Sequence, residues 1–199
     1  MTELNPSMTK GERTRQALLE AGIARFGRDG YRGTSVAEIA RDARLSGTAA
    51  YVYFPNKEAL FVAAVDEDAA AVVDEGLASL TDAVDLDQWR GTLIFTLLSA
   101  VDRHPLARRV LTGLEPDFTV RLITIPALEQ LRKACGDRIA AEQLTGKVRA
   151  DIDPQQIANG LVTIVLSLLM SLLQTGTDPA TLLGADVAAV VEAALTPPR

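Results

Sequence analysis

The chain holds one cysteine and one histidine, Cys135 and His104. A single cysteine excludes a disulfide framework and any cysteine-based metal cluster. A single histidine excludes paired-histidine metal sites and leaves histidine-centred catalysis a thin prospect. There is neither a Gly-x-Ser-x-Gly elbow nor a Gly-rich phosphate loop, so no hydrolase or nucleotide-enzyme motif is present. No catalysis, metal or cofactor is expected. Uninterrupted apolar runs of membrane-spanning length are also missing. The best, Leu161 to Leu173, is short and contains Thr163, Ser167 and Ser171. The first residues, MTELNPSMTKGERTRQ, lack the apolar stretch of a secretory signal. A cytoplasmic protein with no membrane partner is therefore expected. No stretch shows strand-like alternation, so no sheet is predicted.

What is present suffices for a folded core: 48% of the 199 residues are hydrophobic and 23% charged. That length suits one compact domain or two small ones. The net charge of −6 is unevenly spread. Residues 1–60 carry nine Lys/Arg against seven Asp/Glu, a balance of +2, and the remainder carries −8. A weakly basic head on an acidic body is compatible with an anionic partner at the head only.

Apolar residues recur at helical spacing almost throughout, so the expected fold class is all-α. Leu19, Ile23 and Phe26 define a helix from about Lys10 to Phe26, stopped by Gly27 and Gly30. Ser35 and Glu38 form a capping box that opens a short second helix. Ser46 can cap a third, ended by Pro55, and Asn56 a long fourth that runs to an Asp-rich break at Asp82–Asp87. Further helices are expected over Trp89–Val101, Leu106–Leu114, Phe118–Leu144 with a kink at Pro126, Pro154–Gln174 and Pro179–Leu195. Asp153 and Asp178 are the expected caps of the last two.

Two short helices joined by a brief turn and propped by a third fit a helix-turn-helix, whose second helix enters the DNA major groove. Val36, Ile39, Leu45 and Ala50 supply its miniature core, and Ala40 is small where the helices meet. Here the residues also carry a resemblance. The run Gly30-Tyr-Arg-Gly-Thr-Ser-Val-Ala-Glu-Ile-Ala40, followed by Leu45-Ser-Gly-Thr-Ala-Ala-Tyr-Val-Tyr-Phe-Pro-Asn-Lys-Glu-Ala-Leu60, resembles the head of the TetR family (TetR/AcrR type) of bacterial transcriptional regulators. It covers about residues 11–60, and its several features must coincide in order, which makes it far more specific than a lone helix-turn-helix.

The resemblance implies a DNA-facing set of Thr34, Ser35, Arg44, Ser46, Gly47, Thr48, Ala49, Val52, Tyr53 and Lys57. It places Thr34 and Ser35 against a phosphate at the start of the second helix, where free N–H groups favour anions. Tyr53 and Lys57 match phosphate-contacting positions, whereas Tyr51 and Phe54 are expected in the core. The chain departs from the pattern at three places. Arg44 stands where many members carry Gly, which removes easy access to left-handed backbone angles. Ala49 replaces a common Thr, and Val52 a common His or Tyr. Hydrogen-bonding readout is reduced, leaving Arg44 and Thr48 as polar candidates for base edges and Ala49 and Val52 for thymine methyl groups.

The segment Leu161–Leu173 is apolar nearly all round and needs burial on all sides. Leu161, Ile164, Leu168 and Leu172, with Val187 and Val191 of the last helix, suit a two-fold four-helix interface between two copies. The resemblance implies the same dimer. It also implies a small-molecule pocket in the body, where Trp89, Phe95, His104, Phe118 and Leu122 are candidates, each also readable as core. Glu115 and Asp117 read as a solvated loop. Cys135 lies beside Arg132 and Lys133, a setting that can lower its pKa and make a redox switch, but a lone cysteine more often reads as inert.

These readings imply a flexible arm at residues 1–8, a helix-turn-helix domain at 9–56 and a ligand-binding and dimerisation domain at 57–199. The expected function is a homodimeric repressor on a palindromic double-stranded DNA operator, released by a small-molecule effector. The alternative is a relative that has left DNA and acts as an interaction partner.

Overall fold

A computed structural model of the chain describes residues 8–78, 86–176 and 185–197. The expected arm therefore lies outside the described residues except for Met8, and so does the cap at Asp178-Pro179. Ten α-helices and one 3-10 turn form the described residues, with no strand among them.

The first helix, α1 (Lys10–Gly33), opens on a capping box. The Thr9 hydroxyl accepts the Glu12 N–H at 3.2 Å, and the Glu12 carboxylate accepts the Thr9 N–H at 2.7 Å. The expected stop is corrected at Gly27, whereas at Gly30 the helical backbone does break. The helix passes Gly27 unbroken, kinks at Gly30, where φ is 77°, and reaches Gly33. Both glycines also permit close approach. A Cβ on Gly27 would lie 2.9 Å from the Cβ of Pro105, and one on Gly30 would lie 2.7 Å from a Glu115 oxygen.

Next come α2 (Val36–Asp42) and α3 (Gly47–Tyr53), where the sequence places them. Helix α4 (Lys57–Ala78) starts at Asn56, whose side-chain oxygen accepts the Ala59 N–H at 2.7 Å. It is the spine of the molecule. Its first turns bury Leu60 and Phe61 against α1, and later turns bury Ala69, Val72 and Val73 among the body helices. Each fully buried Leu or Phe contributes about 1.5–3 kcal/mol relative to exposure.

The body continues through α5 (Leu86–Val101), α6 (Pro105–Leu111), the 3-10 turn Pro116–Phe118 and α7 (Thr119–Ile123). Pro126 does not kink one long helix, as expected, but begins a new one. Ile125 before it is extended, with φ −65° and ψ 140°, as the residue preceding proline prefers. Proline then takes the first position of α8 (Pro126–Leu144), where no N–H is needed.

Helix α9 (Pro154–Thr175) is capped by Asp153, whose carboxylate accepts the Gln156 N–H at 2.7 Å, and ends at Gly176 with φ 66°. It packs along α8 and, more lightly, α6. The apolar run read as too short to span a membrane is the core of this 22-residue helix. By length and composition alone α9 could cross one: its most apolar 18-residue window has a mean hydropathy of 1.9, and only 22% of that window is buried. Helix α10 (Ala185–Leu195) closes the described body.

Candidate nucleic-acid interface and body cavity

Helices α2 and α3 are held by a tight turn. The Leu45 N–H donates to the Ala40 carbonyl at 2.7 Å, and Ile39, Ala40 and Ala50 are fully buried between them. Closing that turn requires left-handed backbone at Arg44, where φ is 59°. It is the one non-glycine residue with positive φ among the described residues. Side chains there cost about 1–2 kcal/mol relative to ordinary helical backbone.

The outer face of α3 is open. Val52 is 80% exposed, Thr48 is exposed, and Ala49 and Gly47 are half-buried. The Ser46 hydroxyl accepts the Ala49 N–H at 3.3 Å and lies 3.2 Å from the Thr48 hydroxyl, so it caps α3 while still facing solvent. Arg44 is exposed at the head of this face, and Arg41 on α2 is exposed near it. Arg25, by contrast, is engaged by Asp42 at 2.7 Å and Glu38 at 3.4 Å.

Ser35 is exposed and committed to its capping box: its hydroxyl accepts the Glu38 N–H at 3.3 Å and donates to the Glu38 carboxylate at 2.8 Å. Those bonds from the Ser35 hydroxyl and backbone hold the Glu38 carboxyl below its usual value. Thr34 is buried, and its hydroxyl donates to the Gly30 carbonyl at 2.9 Å, so the side chain is turned inward. Tyr53 is half-buried against the core. Lys57 is also half-buried, its ammonium 4.4 Å from the Tyr31 ring centroid. Phe54 is buried as expected, but Tyr51, expected in the core, is 54% exposed. A helical wheel could have raised Tyr51, since it follows Thr48 by three residues.

Head and body meet at an aromatic cluster. Phe26 and Phe61 pack edge to face at 4.9 Å, and Tyr31 and Phe118 each lie within 5.0 Å of Phe61. Glu115 braces the junction. One of its oxygens accepts the Tyr31 N–H at 3.0 Å and the Arg109 Nε–H at 2.7 Å. The solvated reading of Glu115 is therefore corrected, because it is buried.

A second brace joins α4 to α6. Asp68 is buried, and one of its oxygens accepts the Leu106 and Ala107 N–H groups at 2.9 and 2.8 Å, capping α6 from a neighbouring helix. Its other oxygen meets His104 Nδ1 at 2.9 Å, while His104 Nε2 meets Glu75 at 3.0 Å. Burial opposes the imidazolium, but the bonds to Asp68 and Glu75 outweigh it and raise the His104 pKa. The Arg103 guanidinium, ahead of His104, lowers that of Glu75.

Behind these braces lies a cavity of about 130 Å³. Its described lining is aliphatic, drawn from α4 (Ala69, Val72, Val73), α5, α6, α7, α8, α9 and α10, with Cys135 the one other residue type. Of the four pocket candidates whose side chains are described, Leu122 alone lines it. Phe95 is 72% exposed, His104 serves the brace, and Phe118 serves the junction. The Trp89 side chain lies outside the described residues. Cys135 fits the inert reading and not the lowered pKa: it is buried, and burial pushes its pKa up to about 12.

On α9, Ile164 is exposed, Leu161 and Leu168 are half-buried, and Leu172 is buried. Gly160, Thr163 and Ser167 are exposed beside Ile164. On α10, Val191 is half-buried next to exposed Val190, and the Val187 side chain lies outside the described residues.

Residues 18–64 match the family of bacterial regulatory proteins, tetR family. The uncharacterized HTH-type transcriptional regulator YdgC of Bacillus subtilis is 25% identical over 87% of this chain and 89% of its own. The HTH-type transcriptional repressor AcnR of Corynebacterium jeikeium is 28% identical over 87% of each chain. Among solved structures, the fatty acid degradation regulator FadR from Bacillus halodurans superposes with a TM-score of 0.69. It covers 96% of both chains at 14% identity, a likeness of fold alone. These relatives are regulators rather than enzymes.

Proposed function

We propose that this chain, whose residues 18–64 match the tetR family of bacterial regulatory proteins, is a regulator of that family: a cytoplasmic homodimeric repressor released from a palindromic operator by a small molecule. The head, residues 9–56, is the DNA reader. Residues 57–199 bind the effector and the second copy. One observation carries the reading: α4 is a single helix whose first turns hold the head core and whose later turns wall the body cavity. An effector that prefers one setting of those walls shifts α4, and with it the spacing of two heads on one operator.

In this reading Thr48, Val52 and Arg44 face base edges, with Ala49, Gly47 and Ser46 alongside. Tyr53, Lys57 and the α2 start at Ser35 engage phosphates. Thr34 contributes through its backbone, its hydroxyl being turned inward. The dimer forms on α9 and α10. One face of α9 is open in one copy: Ile164 is exposed there, and Gly160, Thr163 and Ser167 leave room beside it for a close helix.

Sedimentation of the wild type and Ile164→Asp tests the assembly. The account expects a wild-type dimer and a variant that sediments as a monomer and loses operator affinity. A wild type that sediments as a monomer at all concentrations removes the dimer and the paired-half-site reading with it.

A further inference from the structure

We propose that the body cavity takes a small, neutral hydrocarbon, a single-ring aromatic or short branched alkane, because none of its described lining residues can hold a charged or hydrogen-bonding head group. The inference rests on the body being the effector-binding part and names the chemistry of that site. A cavity of about 130 Å³ accommodates few heavy atoms. Apolar cavities of on the order of 150 Å³ stay dry and accept benzene. Leu97, Leu111, Leu128 and Ile139 are typical of its walls, which come from seven helices. Among the described lining residues no side chain carries a charge or a hydroxyl.

The nearest candidates for a polar anchor are already engaged. Asp68 precedes lining residue Ala69, but its two oxygens serve the Leu106 and Ala107 N–H groups and His104. Cys135 offers a weak donor, and burial keeps its thiol protonated, so it is not poised to attack an electrophilic ligand. A carboxylate or ammonium drawn into this space would lose its water without a partner. A hydrocarbon would lose nothing and remove apolar surface from water.

Ala69, Val72 and Val73 join the cavity to α4, so a ligand filling it presses on the helix that carries the head. Size and chemistry together favour ligands that would pass through a membrane unaided.

Purified full-length protein would be titrated with toluene and, separately, with benzoate at neutral pH. The readouts are thermal unfolding and the fluorescence of Trp89, the chain's one tryptophan, which lies on the same helix as Leu93 and Leu97. A saturable rise in Tm with toluene, and benzoate at least tenfold weaker, is the expected result. Benzoate binding as tightly as toluene, or no response to toluene up to its solubility, overturns the proposal. Ala69→Leu fills the cavity from α4 and is expected to weaken toluene at least tenfold. If that variant does not fold, Cys135→Leu fills it from α8 and must do the same. Unchanged toluene affinity in a folded filling variant places the ligand elsewhere and overturns the assignment. Release of operator DNA is scored separately. Toluene that binds the cavity without releasing DNA upholds the ligand class and refutes the effector reading.

Discussion

In the head, α2 and α3 bury Ile39, Ala40 and Ala50 completely and turn Thr48, Tyr51 and Val52 toward solvent. In the body, aliphatic side chains of seven helices line a 130 Å³ cavity, and α9 leaves Ile164 exposed on its outer face. Both regions are built from small and branched apolar side chains, so composition does not separate them. Filling does. The head core buries Ile39, Ala40, Ala50, Phe26 and Leu60 completely and so fixes the backbone from which α3 presents its outward side chains, as reading a groove demands. The body gives up contacts at its centre, and a shape with a void in it can be shifted by whatever fills the void.

The largest expected effect comes from cutting the join between the two regions. Phe61→Ala removes a fully buried ring that touches Phe26, Tyr31 and Phe118. A loss of about 3–5 kcal/mol is expected by urea denaturation. Head and body should unfold in one transition in the wild type. A variant that loses less than about 1 kcal/mol would mean that the junction does not couple them.

Next in size is a change confined to the head. Tyr53→Phe with Lys57→Ala should weaken DNA binding by about 1–3 kcal/mol across sequences, and each lost phosphate contact should lower the salt slope by about 1. Toluene affinity should not move. Lys57→Ala alone also removes the contact with the Tyr31 ring, worth about 0.5–2 kcal/mol of stability at a half-buried site. A DNA-binding change without a slope change would place these residues in folding rather than in phosphate contact.

A smaller and opposite effect is expected at the turn. Arg44→Gly relieves left-handed backbone and should raise stability by about 0.5–1 kcal/mol while lowering operator affinity. Higher stability with unchanged affinity would show that Arg44 makes no contact with DNA.

The smallest effect is the pH response of the second brace. The folded pKa of His104 lies above its unfolded value, so its contribution is complete below the ordinary histidine pKa near 6.5 and is lost as pH rises through the raised value. Urea midpoints should therefore fall from mildly acidic to mildly alkaline pH, and His104→Gln should flatten that fall. The depressed carboxyls, Glu75 and Glu38 among them, act in the opposite sense and in a separate, acidic window, where their contribution disappears as pH drops. An unchanged slope in His104→Gln would assign the response to other groups.

The same contrast explains what the sequence made legible. Helix starts were readable wherever a local rule decides them: Ser35 with Glu38, Ser46, Asn56, and Asp153 before Pro154 all cap as expected. The helix-turn-helix followed for the same reason, because its caps, turn and small-residue contact lie within twenty residues of one another. Gly27 misled because its partner, Pro105, is some eighty residues away. His104 and Phe118 looked like pocket residues because rarity and aromaticity mark function locally, whereas Asp68 and Phe61 claim them in space. The cavity itself was invisible, since an aliphatic wall and an aliphatic core have the same spelling. Cys135 shows the limit most plainly. Its basic neighbours in sequence suggested a lowered pKa, and its burial between helices does the reverse.

The most direct test of the central claim is to select genomic DNA fragments on the purified, ligand-free protein and sequence the bound pool. The account predicts enrichment of one two-fold symmetric site, recovered in lower yield when Tyr53 and Lys57 are replaced together. A pool that stays flat at moderate salt, from protein freed of carried-over ligand, would contradict it and leave the exposed face of α3 without DNA to read.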